Sequence, residues 1–159
     1  MKRKMLAAMV LASMGLPGFT PAIGADSYEV EISNAWIRST VPGQPVAGAY
    51  LDLRAASAMK LVGVSSPVSA RGEIHEMKDE DGMMKMRAVK AVDLPAGKTV
   101  NLAPGSLHVM LSGLKQPLAE GAKVSLTLKF RRASGSTYTR VIEVPVRAPG
   151  DTGSHDQHK

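Results

Sequence analysis

Two histidines, His75 and His108, each stand two residues before a methionine, in His75-Glu76-Met77 and His108-Val109-Met110. A methionine group, Met83, Met84 and Met86, follows the first pair across a short turn-like stretch. On a β-strand, residues i and i+2 point to the same face, so each pair presents an imidazole nitrogen beside a thioether sulfur. Nitrogen and thioether sulfur, with no thiolate, is a donor set suited to copper and above all to Cu(I). Cysteine is absent from the 159 residues. That removes a thiol nucleophile, a Cys-x-x-Cys redox pair and the thiolate that a blue-copper centre needs.

The elements that must position these groups read as short strands. Residues 28–37 alternate apolar and polar side chains, as a half-buried strand does. Further strands are expected over 46–53, 61–64, 72–77, 83–89, 99–102, 107–111, 123–130 and 137–146, separated by turn signals such as Pro42-Gly43, Asp81-Gly82 and Pro104-Gly105. No long 3.6-residue stripe occurs after the first residues. The pattern predicts an all-β, antiparallel Greek-key sandwich or barrel.

The 75–86 stretch reads as a hairpin with two open registers. With Glu80-Asp81 as the turn, His75 faces Met86. With Asp81-Gly82 as the turn, Met77 faces Met86. In both, His75, Met77, Met84 and Met86 share one face, because a shift of two residues preserves side-chain direction. Met83 points the other way. His108 follows the Pro104-Gly105 turn and so lies near a strand start, where it and Met110 can meet the hairpin in a shallow, partly exposed site. Methionine is also ordinary core filler, and a strand histidine is commonly half-buried. The grouping favours metal: of the six methionines after residue 25, all but Met59 fall in or next to these motifs.

The spacing His75, ten residues, Met86, twenty-one residues, His108, one residue, Met110 resembles the His-x10-Met-x21-His-x-Met signature of the periplasmic PCuAC copper chaperones. The stretches Ala35-Trp36-Ile37-Arg38, Pro42 to Tyr50, Asp81 to Arg87, Leu94-Pro95-Ala96-Gly97 and Gly113-Leu114-Lys115 are similar too. The resemblance covers residues 28–146. It implies a cupredoxin-like fold without a blue-copper site, and Cu(I) held by His75, Met86, His108 and Met110. Met77 and Met84 are auxiliary candidates. It further implies delivery of copper to the CuA centre of a haem-copper oxidase or to a Sco-type partner. Members with His-rich C-terminal extensions bind a second copper, Cu(II), which makes His155 and His158 further candidates.

The ends of the chain complete the reading. Lys2, Arg3 and Lys4, an apolar run over residues 5–16 and a small-residue stretch to Ala25 read as a secretory signal peptide cleaved after Gly24 or Ala25. The run falls short of the ~20 residues a membrane span needs. The expected organisation is a signal over 1–25, one copper-binding domain over 26–147 and a polar tail over 148–159, with a periplasmic, monomeric product. Removing three cations lowers the net charge from +6 to +3. No dense cationic cluster interleaved with aromatics supports nucleic-acid binding, and no Gly-x-Ser-x-Gly motif supports a hydrolase. The expectation is a carrier, not an enzyme; the alternative is a secreted β-sandwich that binds a protein partner without metal.

Overall fold

The computed structural model describes residues 29–149, and the expected signal peptide and histidine-bearing tail lie outside them. Ten strands form in chain order: β1 Val30–Arg38, β2 Val46–Ala55, β3 Met59–Ser65, β4 Ser69–Glu80, β5 Met83–Val89, β6 Val92–Leu94, β7 Thr99–Leu102, β8 His108–Leu114, β9 Lys123–Arg132 and β10 Thr137–Arg147. Seven of them, in the order β4-β8-β2-β1-β10-β9-β3, curl until β3 meets β4 again and the barrel closes. β5 extends the sheet beyond β4, β6 pairs with β3, and β7 pairs with β2 above its contact with β8. The pairings are antiparallel apart from β1 with β10. The non-sequential order is what Greek-key connections produce.

Alternation decides which way each strand faces. Ala47, Ala49, Leu51, Leu53 and Ala55 of β2 point into the barrel, as do Val124, Leu126, Leu128 and Phe130 of β9, and all are buried. Fully burying a side chain of leucine or phenylalanine size contributes about 1.5–3 kcal/mol, so this interior is the main stabilising term in a domain without disulfides. Two details depart from the sequence expectation. β6 was not expected, because three residues are too few to establish an alternation. The alternation of β1 is broken by a bulge between Ser33 and Trp36, where Asn34 adopts φ 50°. The bulge resets the phase, so that Ile37 faces inward and Trp36 outward.

Closure of the barrel depends on a single register pair, Val64 with Gly72. A Cβ at Gly72 would lie 2.6 Å from the Val64 carbonyl oxygen, so a side chain there separates the two strands. Gly72→Ala is expected to lower stability by roughly 1–3 kcal/mol, as overpacking against rigid backbone does. A urea midpoint equal to that of the wild type would contradict this account of closure.

At the end of β9, the strand paired with β3, Arg132 donates from Nε and Nη2 to the two Glu29 oxygens at 2.7 and 2.6 Å. Those hydrogen bonds hold the Glu29 carboxyl below the usual carboxylate range. A depressed carboxylate pKa adds stability above the unfolded value, and the gain is lost as pH falls through the folded value. Glu29→Gln should therefore lower the melting temperature at neutral pH. The difference should close as the buffer is taken below the range in which glutamate ionises; a difference independent of pH would contradict the ion pair's role.

Candidate metal site

The turn selects one of the two hairpin registers. Asp81 and Gly82 both have positive φ, 57° and 78°, the backbone of a two-residue type I′ turn, for which Asp-Gly is well suited. The Asp79 carboxylate accepts the Gly82 N–H at 2.9 Å. Glu80 therefore opposes Met83, Asp79 opposes Met84, Met77 opposes Met86 and His75 opposes Ala88. The register with Glu80-Asp81 as the turn is not formed, since it would demand positive φ at Glu80 rather than at glycine.

On its other side β4 pairs with β8, and there His75 lies directly opposite His108 and Glu73 opposite Met110. Ile74 and Val109, the neighbours of these residues, are buried in the barrel. The imidazoles and thioethers are thereby forced onto the outer surface of the wall. The two rings sit with centroids 5.9 Å apart, at 49° to each other. Met110 is next along β8 from His108 on this face, and diagonal to His75. Met77 is next along β4, and Met86 is diagonal to His75 from β5; diagonal Cβ atoms in a sheet lie about 7–8 Å apart, within reach of long side chains. Met84 lies further out, near the hairpin tip.

Burial is graded across the group. His108 is 7% exposed and the His75 side chain 15%, whereas Met86 is 49% and Met84 54% exposed. Met110 and Met77 are half-buried. The site thus has a closed imidazole floor and an open thioether rim.

The hydrogen bonding of the rings bears on what they can hold. His108 Nδ1 lies 3.0 Å from the Ser106 carbonyl oxygen. A carbonyl only accepts, so Nδ1 carries the proton and Nε2 keeps its lone pair. A metal-ligating histidine is commonly fixed in this way. Both His75 nitrogens are sealed from solvent without a hydrogen-bond partner. Nε2 is 3.5 Å from Glu73 Oε2, close enough for attraction but without hydrogen-bond geometry. A buried polar group left unbonded is costly and calls for an explanation; an imidazole whose lone pair is kept for a soft cation provides one. Among the described residues no three His, Cys, Asp or Glu side chains form a group that could hold a metal ion.

Beside the histidines lies an aromatic platform that the motif spacing did not single out. Tyr50 follows His108 with ring centroids 6.4 Å apart, and Trp36 follows Tyr50 at 4.5 Å. Both are nearly buried on the outer face. Tyr50 leans along its strand over Gly48, the residue opposite Met110, and a Cβ at Gly48 would come within 2.5 Å of the phenol oxygen. The sequence signal for this was the phase of β2, which places Gly48 and Tyr50 outward when Ala47, Ala49 and Leu51 point inward. Gly48→Ala should displace the Tyr50 ring and alter the emission of Trp36, the chain's one tryptophan. An unchanged spectrum would remove Gly48 from the platform.

Residues 30–146 match the family described as "Putative lipoprotein LpqE-like". A protein of Leifsonia xyli subsp. xyli described as "Putative lipoprotein Lxx21020" is 31% identical, over 97% of this chain and 92% of its own length. Among solved structures, the apo PCuAC domain from PmoF1 is similar with a TM-score of 0.62 and 25% identity, covering 76% of this chain and 95% of that domain. The copper-bound PCuAC domain from PmoF2 gives 0.59 and 25%, covering 76% and 94%. The solution structure of CuI-DR1885 from Deinococcus radiodurans gives 0.57 and 29%, covering 81% and 84%. The resemblance carried by the His and Met spacing is borne out, and the fold is cupredoxin-like.

Proposed function

We propose that this chain, which belongs to the LpqE-like family, is an exported copper chaperone that carries Cu(I) on His75, His108, Met86 and Met110. The observation that carries the reading is the pair of facing imidazoles on adjacent strands, each with a nitrogen kept free, flanked by thioethers on the outer wall. Similarity to the copper-bound domain from PmoF2 and to CuI-DR1885 supports it. Export is supported by the lipoprotein descriptions of the family and of the Leifsonia relative.

The chemistry is ligand exchange. Two imidazoles and two thioethers are neutral, so they bind the ion without cancelling its charge, and Cu(I) prefers soft donors. The graded burial gives the exchange a direction: His108 and His75 hold the ion at the floor, and Met86, half exposed, is the ligand an incoming donor can displace first. Met77, opposite Met86 in the register, stands where it can hold the ion as Met86 departs. A thiolate-bearing acceptor is the better host for Cu(I), which makes delivery downhill. The resemblance to PCuAC chaperones points to a haem-copper oxidase CuA subunit or a Sco-type protein as that acceptor. The tail histidines His155 and His158 are proposed as an auxiliary Cu(II) site.

Titration with Cu(I) against a chromophoric chelator under anaerobic conditions tests the assignment. One equivalent is expected per domain. Removing a group that merely orients a ligand costs ~10–100-fold in metal affinity, so His75→Ala and His108→Ala should each lose at least that much. Met86→Ala should lose less than either, with Met77 substituting. Undiminished binding in a His75→Ala, His108→Ala double variant would reject the site.

A further inference from the structure

β5 pairs only with β4, so its other edge meets no strand among the described residues. β6 and β7 also have single partners, but they are three and four residues long. Shortness is one ordinary way in which an edge is kept from recruiting another chain. β5 runs for seven residues.

The turn determines which backbone groups that edge offers. In a hairpin closed by two residues, the flanking pair exchanges both hydrogen bonds, and every second pair thereafter does the same. Glu80–Met83, Lys78–Lys85 and Glu76–Arg87 are those pairs. Met84, Met86 and Ala88 therefore turn their N–H and C=O groups away from β4. The far side of β4 agrees with this phase: Met77 N–H donates away from β5, to the Ser106 carbonyl at 3.2 Å. The unpaired backbone of β5 thus belongs to the residues whose side chains share the face of the two imidazoles.

Its side chains are equally divided. Met84 and Met86 occupy the metal face. Lys85 and Arg87 occupy the other, where both meet the one carboxylate of Glu80, Lys85 at 3.2 Å. On the same face β4 adds Glu76, opposite Arg87, and Lys78, opposite Lys85, so three cations stand against two carboxylates and this flank keeps a positive excess. A second copy laid along the edge would set cations against cations, which destabilises cross-strand pairs. At the C-terminal end of β5, where β4 leaves β3, a groove of about 340 Å³ opens, lined by Val62, Val64, Ile74, Val89 and Lys90 among others.

We propose that the free edge of β5 is the docking strand for the copper partner, and that it pairs with an extended acidic segment in which Glu or Asp alternates with residues bearing a soft donor. The proposal rests on the copper-carrier reading. Main-chain bonds at Met84, Met86 and Ala88 supply the affinity, and Lys85 and Arg87 select acidic side chains on one face. Alternation then places the partner's soft donor on the other face, about 5 Å in Cβ separation from Met86. The groove receives an apolar side chain where the added strand passes the end of β5.

Amide hydrogen exchange followed by NMR tests this on the metal-free protein. The probe is a reduced synthetic peptide, Thr-Glu-Thr-Glu-Cys-Glu-Thr-Glu-Thr, and the control replaces each glutamate by lysine. The amides of Met84, Met86 and Ala88 should exchange fast in the free protein. With the acidic peptide about ten times above its Kd they should slow by about tenfold, in proportion to the fraction left unbound. The lysine peptide should give no protection. A Lys85→Glu, Arg87→Glu double variant, folded as judged by its remaining amides, should reverse that preference while keeping its Cu(I) stoichiometry. No protection, protection elsewhere, or equal protection by both peptides would overturn the proposal. Because no copper is present, failure of the metal assignment leaves this result standing, and failure here leaves the Cu(I) titration unaffected.

Discussion

Register between β4 and β8 is the constraint on which the rest of the structure depends. His75 opposes His108 because Ile74 opposes Val109 and Gly72 opposes Leu111, one residue out of phase and facing the barrel. A slip of one residue would drive the imidazoles into the hydrocarbon interior and expose Ile74, so the burial that stabilises the barrel also fixes the separation of the rings. Interior and site are two faces of one pairing. The Val64–Gly72 closure adds to this, since it anchors β4 to β3 before its upper half leaves to pair with β5.

A carrier must hold its cargo and also release it, and the face divides those tasks by burial. The histidines lie low on the wall, one with its tautomer set by a backbone carbonyl. Of the thioethers that complete the set, Met110 is half-buried on β8, and Met86 stands half in solvent on a hairpin that has neighbours on one side only. The aromatic platform of Trp36 and Tyr50 closes the side towards β1, and Gly48 leaves room for the phenol. Access is thus directed to the β5 side, where both the most exposed thioether and the unpaired backbone are found.

Much of this was legible in the sequence because it is local. Alternation placed most strands, and the i, i+2 spacing put each histidine and its methionine on one face. Asp81-Gly82 offered the turn that the structure adopts. What was not legible is long-range. Nothing near His75 announces that His108, rather than another strand's residue, lies opposite it, and the spacing motif supplied that pairing only through resemblance. β6 escaped because Val92-Asp93-Leu94 is too short for a period. The bulge at Asn34 escaped because the apolar pattern on either side of it looks continuous. Glu73, two residues before His75, was readable as sharing its face, but its 3.5 Å approach to the ring depends on side-chain packing that no pattern encodes.

The most direct test of the central claim is X-ray absorption on the anaerobically Cu(I)-loaded protein, which counts sulfur against nitrogen in the coordination shell. Two imidazoles drawn from β4 and β8 and two thioethers from β5 and β8 predict an equal number of nitrogen and sulfur scatterers, with the multiple-scattering pattern of imidazole rings. A shell made of nitrogen and oxygen alone, or one unchanged by His75→Ala, would contradict it.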